Sequence, residues 1–161
     1  MALFPYHETL RVDEIFETLQ GESRSTGYPS VFVRLYDCNV RCSYCDTMPQ
    51  ISYVKMRVNE IVHAVSKYQS EHVCITGGEP MLQDAGAVIL ANALVDMGYK
   101  VSIETNGIAE LSEVPNRKWR YVMDVKMPSS GVFKQAKKAL PINALCLESK
   151  DEIKFVIQND E

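Results

Sequence analysis

Three short runs of β-branched and aromatic residues are each followed at once by residues that no strand would carry. Ser30–Tyr36 (SVFVRLY) runs into Cys38-Asn39-Val40-Arg41-Cys42-Ser43-Tyr44-Cys45-Asp46-Thr47. His72–Ile75 runs into Thr76-Gly77-Gly78-Glu79-Pro80, and Lys100–Glu104 into Thr105-Asn106-Gly107. Between the strands lie helical patterns. Arg57–Tyr68 places Val58, Ile61, Val62, Val65 and Tyr68 at helical spacing, with His63 and Lys67 on the solvated side. Asp84–Met97 reads as a second helix, stopped by Gly98. Arg120–Val125 predicts a fourth strand, Phe133–Leu140 a short helix and Asp151–Ile157 a fifth strand. Strands that alternate with helices predict parallel βα units. In a parallel sheet all three strand-exit motifs fall on one rim, where α/β folds bind ligands. The expected architecture is therefore α/β, a parallel sheet of five to six strands in one domain over residues 1–161.

The remaining stretches say less. Residues 1–10 carry no signal, and Arg11–Thr18 predicts a short strand or hairpin arm. Leu19–Pro29 has turn chemistry, Met48–Met56 is an unassigned connection, and Ala144–Glu148 reads equally as strand or buried helix end. Cys74 and Cys146 fall among apolar residues and read as small core hydrophobes. Net charge is -4 with a pI near 5.4, which argues against a broad nucleic-acid or membrane surface. No apolar run is long enough to span a bilayer, and no basic-then-apolar leader opens the chain. Five cysteines without such a leader fit a reducing cytoplasm.

The chemistry is concentrated at Cys38, Cys42 and Cys45. Three residues separate the first two thiols and two separate the next pair. A loop can aim all three sulfurs at one soft metal centre. A structural zinc site needs four Cys or His ligands, and His63, His72 and Cys74 lack paired spacing. Disulfides would leave an odd thiol and crowd the bonds into one turn. A cubane iron–sulfur cluster remains. Cysteines usually hold all four irons, so three leave one iron open to a small molecule. Gly77 and Gly78 would let such a molecule approach the backbone closely, and Pro80 would rigidify the exit. Arg34 lies four residues before Cys38. It reads either as a solvated edge residue or as a cation placed to take a carboxylate. Lys126 reads as a solvated lysine or as a ligand contact at the same rim.

The three-Cys spacing with Gly-Gly-Glu-Pro resembles the radical S-adenosylmethionine (SAM) superfamily. The resemblance implies a partial (βα) barrel, a 4Fe-4S cluster on Cys38, Cys42 and Cys45, and SAM held by the open iron and cleaved to a 5′-deoxyadenosyl radical. Leu19-Gln20-Gly21-Glu22, Phe32-Val33-Arg34-Leu35, Asp46-Thr47 and Lys154-Phe155-Val156-Ile157 narrow it further. With them, the chain from about Glu14 onward resembles the 7-carboxy-7-deazaguanine synthase family. That implies conversion of 6-carboxytetrahydropterin to 7-carboxy-7-deazaguanine with loss of ammonia, on the route to queuosine and related 7-deazapurines. By the same resemblance Gly78, Glu104, Lys126 and Ser129 line SAM. Leu19, Gln20, Gly21, Arg34 and Thr76 hold the pterin, Arg34 taking its carboxylate. Thr47 ligates Mg2+, a homodimer forms, and an electron donor such as a flavodoxin feeds the cluster.

The chain departs from the family pattern in two places. Ser23 stands where a glycine usually follows Gln-Gly-Glu, so a different bend is expected there. Family members are commonly longer, and this chain stops at Glu161. A last helix and strand that complete the sheet and add SAM contacts are expected to be missing, which makes the chain either a minimal member or a fragment. Its site would then be more open, or closed by a partner subunit. The alternative reading is a glycyl-radical enzyme activating protein, which shares the three-Cys spacing and Gly-Gly-Glu-Pro. Such proteins do not usually carry Gln-Gly-Glu before the strand or Asp-Thr after the last Cys. A non-enzymatic zinc or iron–sulfur module would lack the converging Gly-Gly-Glu-Pro loop.

Overall fold

The computed structural model describes residues 8–47 and 52–158. Seven strands form one open sheet: β1 (Thr9–Leu19), β2 (Pro29–Leu35), β3 (Val54–Arg57), β4 (His72–Gly77), β5 (Lys100–Thr105), β6 (Arg120–Lys126) and β7 (Glu152–Val156). Their order is β3-β1-β2-β4-β5-β6-β7. The five strands from β2 to β7 run parallel, as the alternation predicted. The sheet exceeds the expected five to six strands because an antiparallel pair extends one edge. β1 pairs antiparallel with β2 on one side and β3 on the other. Its 11 residues are long enough to serve both partners. β3 lies in the stretch the sequence left unassigned; Met48–Ile51 of that stretch fall outside the described residues.

The helices are α1 (Val58–Val65), α2 (Asp84–Asp96) and α3 (Phe133–Asn143). α1 opens with the Arg57 amide donating to the Glu60 carboxylate at 2.7 Å, which satisfies one donor the helix leaves unpaired. α2 ends at Asp96 with Met97 as its cap, and Gly98 supplies the positive φ (94°) that stops it. Ala144–Cys146, ambiguous in the sequence, forms a single 3-10 turn.

Side chains alternate across a strand, and parallel register carries that alternation through the sheet. One face presents Val31, Val33, Leu35, Val73, Ile75, Val101, Ile103, Tyr121 and Met123, all buried. Against it pack Ile61 and Val65 of α1 and Leu90 and Leu94 of α2, which make the apolar core. The other face is polar. Register sets Arg34 beside Thr76, Cys74 beside Ser102, and Asp124 beside Lys154. A fold with one polar sheet face of this kind has a trough rather than a second core. The loop from Gln20 to Tyr28, between β1 and β2, spans the trough near the strand starts. There Arg120 donates to the Ser25 hydroxyl at 2.6 Å, and the Arg24 amide donates to Glu152 at 2.8 Å.

Candidate functional site

At the opposite end the strands β2, β4, β5 and β6 release their exits onto one rim. The chain leaves β2 through Asp37, whose φ of 82° turns it sharply into the cysteine loop. β4 comes up against this turn. Gly78 donates to the Leu35 carbonyl at 3.1 Å and Glu79 to the Asp37 carbonyl at 2.8 Å. A Cβ on Gly77 would sit 2.1 Å from the Leu35 oxygen, and one on Gly78 would sit 2.1 Å from that of Asp37. The paired glycines therefore accommodate the base of the cysteine loop itself, a role their sequence reading as a ligand approach did not include.

Glu79 fixes the third exit. Its carboxylate is fully buried and accepts from the Met81 amide at 2.9 Å, the Thr105 hydroxyl at 2.8 Å and the Asn106 amide at 2.6 Å. Burial pushes its pKa up from 4.5 to about 7, against the three hydrogen bonds that favour the charged form. The Asn106 carboxamide then reaches the loop, donating to the Asn39 side chain at 2.8 Å and lying 3.7 Å from the Cys38 sulfur. On the other flank the Ser43 amide donates to the Ser130 carbonyl at 3.0 Å, and the Ser43 hydroxyl to the Ser129 carbonyl. The loop is thus held at both sides by strand exits.

All three thiols are free of disulfides and line one cavity of about 700 Å³. The volume lies in the range of small-molecule sites. Burial raises the Cys42 pKa, Lys126 opposes it, and Cys38 and Cys45 add to it. Three thiolates lining one cavity would gather negative charge there. A centre that takes the thiolates must therefore carry positive charge. Among the described residues no three His, Cys, Asp or Glu side chains converge on a point that a single ion would need. A multi-iron core makes no such demand, because its ligands bind different irons. The donor set fits the cluster.

The same cavity receives Gln20, Gly21, Arg34, Thr47, Thr76, Gly78, Glu104 and Lys126. Leu19 and Ser129 are not among its lining residues; Leu19 is 64% exposed, and Ser129 offers its carbonyl to Ser43. Gln20 is buried and its Nε2 donates to Glu104 at 2.9 Å. Burial raises the Glu104 pKa, with Lys154 pulling it down. Arg34 pairs with Glu14 at 2.8 Å and lies 5.7 Å from the centre of the Phe16 ring. The Thr47 hydroxyl donates to Asp46 at 3.4 Å. Burial works to lower the Lys126 pKa, but Asp124 beside it outweighs this and the net shift is up. Lys154, which the sequence reading gave no role, bonds Glu22 and lies 3.0 Å from Asp124. Its signal was the alternation of β7, with Lys154 between the exposed Ile153 and Phe155. Ser23 has φ 66°, in the left-handed region that glycine enters more readily than serine.

The sequence profile of the radical SAM superfamily matches residues 33–124. The chain belongs to that superfamily, whose members use SAM and a 4Fe-4S cluster. It is 43% identical over 154 residues to the 7-carboxy-7-deazaguanine synthase of Methanospirillum hungatei, covering 94% of this chain and 63% of that protein. It is 41% identical to the synthase of Koribacter versatilis (93% and 66% covered) and 38% identical to that of Clostridium acetobutylicum (92% and 69%). Within the superfamily, the chain belongs to the 7-carboxy-7-deazaguanine synthase family. It spans 63% and 66% of the length of the first two of these relatives. The crystal structure of QueE from Escherichia coli shares the fold, with a TM-score of 0.64 at 23% identity, covering 93% of this chain and 85% of that one. These relatives carry the synthase name, which does not favour the glycyl-radical activating alternative. No helix among the described residues is long and apolar enough to cross a membrane.

Proposed function

We propose that the chain acts as a 7-carboxy-7-deazaguanine synthase, converting 6-carboxytetrahydropterin to 7-carboxy-7-deazaguanine with loss of ammonia. The observation that carries this reading is the single cavity shared by three free thiols, the Gly77-Gly78 turn and the Arg34 guanidinium. When bound, cluster and SAM supply the electron and the radical that open the reaction. Cys38, Cys42 and Cys45 hold the cluster. Gly78, Glu104 and Lys126 contact SAM, with Ser129 supporting the cysteine loop beside them. Arg34 takes the substrate carboxylate, for which it must exchange its bond to Glu14; a planar guanidinium suits that bidentate exchange. Gln20, Gly21 and Thr76 bound the pterin from the trough side, and Leu19 sets the course of that loop. Thr47, with Asp46 beside it, offers the oxygen ligands that Mg2+ prefers. We extend the reading to a cytoplasmic homodimer supplied with electrons by a flavodoxin-like donor.

The test is anaerobic incubation of reconstituted protein with SAM, dithionite, Mg2+ and 6-carboxytetrahydropterin, followed by mass spectrometry. The expected result is 7-carboxy-7-deazaguanine. Formation of 5′-deoxyadenosine and methionine without that product would overturn the substrate assignment and leave the superfamily chemistry standing. Equal turnover with and without Mg2+, or after Thr47→Ala, would remove the metal from the proposal.

A further inference from the structure

Asn106 is oriented by three separate bonds. Its backbone amide donates to Glu79 at 2.6 Å, and its side-chain oxygen accepts from the Ile108 amide at 2.9 Å. Only an oxygen can accept from that N–H, so the NH2 group must face the other way. There it donates to the Asn39 side chain at 2.8 Å and stands 3.7 Å from the Cys38 sulfur. Asn106 is 7% exposed, so water competes little for this contact. The surroundings of the three sulfurs differ. Cys38 has a neutral amide donor, whereas Cys45 is exposed.

We infer that Asn106 is a positioning residue that hydrogen-bonds the Cys38 sulfur and raises the reduction potential of the cluster this sulfur ligates. The inference rests on the reading of Cys38 as a cluster ligand. Reduction adds negative charge that spreads onto the sulfurs. A fixed N–H dipole aimed at one of them stabilises the reduced state more than the oxidised one. Glu79 contributes indirectly, because it holds the turn that presents the amide.

Asn106→Asp keeps the oxygen that Ile108 needs and replaces the donor with an oxygen facing sulfur. Asn106→Ala removes the donor without adding charge. The full chain with reconstituted cluster is titrated potentiometrically and the reduced cluster followed by electron paramagnetic resonance. At a fixed poise the ratio of reduced to oxidised cluster is expected to fall roughly 3- to 10-fold in Asn106→Ala, the scale of one ordinary hydrogen bond. It falls further in Asn106→Asp, and both retain the wild-type iron content. An unchanged potential in the alanine variant overturns the inference, whatever the aspartate variant does. Loss of iron from both variants also overturns it, since Asn106 would then only hold the loop in place. The parent reading has its own control: Cys38→Ala that assembled iron as well as the wild type would fell the ligand assignment, and the inference with it.

Discussion

Glu79 combines full burial with an ionisable carboxyl, and the two pull against each other. Its pKa of about 7 in the fold stands above its ordinary value of 4.5. A carboxyl that binds its proton more tightly when folded contributes most below pH 4.5, and that contribution shrinks as pH rises towards 7. The change is about 3 kcal/mol across the window. Glu79→Gln cannot ionise, so its deficit relative to wild type, read from urea midpoints of cluster-free protein, should be larger at pH 5.5 than at pH 8. An equal deficit at both would show that Glu79 does not titrate there. Arg117 poses the opposite case. Its side chain is fully buried against Asp151, with the Trp119 and Tyr121 rings centred 4.9 and 4.8 Å from its guanidinium carbon. Glu148 lies 3.9 Å from the same guanidinium, so removing Asp151 leaves the buried charge with only that more distant partner, and Asp151→Ala should cost about 3 kcal/mol in urea unfolding. A loss below 1 kcal/mol would mean that the pair is hydrated. Neither arrangement was legible beforehand. The Gly-Gly-Glu-Pro motif marked Glu79, but two of its partners sit 26 and 27 residues away, at the end of β5 and just past it. The motif told where the rim was, and only the fold could say what the carboxylate does there.

At the scale of elements, the turns are more telling than the strands. Ser23 adopts φ 66°, a region that costs a side-chain-bearing residue about 1–2 kcal/mol. Its hydroxyl offsets part of this by accepting from the Ser25 amide at 3.1 Å. Ser23→Gly should therefore leave the thermal midpoint nearly unchanged, whereas Ser23→Val should lower it by several degrees. Equal midpoints for the two would remove the φ argument. Gly78 allows no such exchange. Gly78→Ala should displace the base of the cysteine loop and lower cluster iron after reconstitution, while the far-ultraviolet spectrum stays that of the wild type. The parallel strands and all three helices were legible because each carries its own period of apolar residues. β3 was not, since Val54–Arg57 has no buried residue and exists only because β1 has a free edge to offer. The pairing of Glu14 with Arg34 was hidden for a related reason. It follows from the antiparallel register of β1 and β2, in which these two positions face each other.

For the molecule as a whole, what matters is that an open sheet has its two flanks tied across the trough. Lys154 of β7 bonds Glu22, and Arg24 reaches the Lys150 carbonyl at 3.0 Å. Lys154→Met should loosen the loop from Gln20 to Tyr28, speeding its amide hydrogen exchange roughly tenfold, which corresponds to about 1.4 kcal/mol. Unchanged exchange in that loop would mean that the Arg24 contacts suffice. The outer side of β7 shows Ile153 and Phe155, 48% and 54% exposed, and Ile157 just past it is 61% exposed. The inner side of the same strand was partly legible, because a lysine alternating with apolar residues must face somewhere wet. The tie across the trough also sets an order in time. Glu22 and Lys154 are 132 positions apart, and contacts so distant in sequence form late because the intervening chain must first be ordered. During synthesis the three cysteines leave the ribosome more than a hundred residues before Lys154 does. The nascent chain therefore carries its thiols for an interval without the strand whose Lys154 and Val156 line the same cavity, and iron delivered in that interval would meet a loop rather than a site.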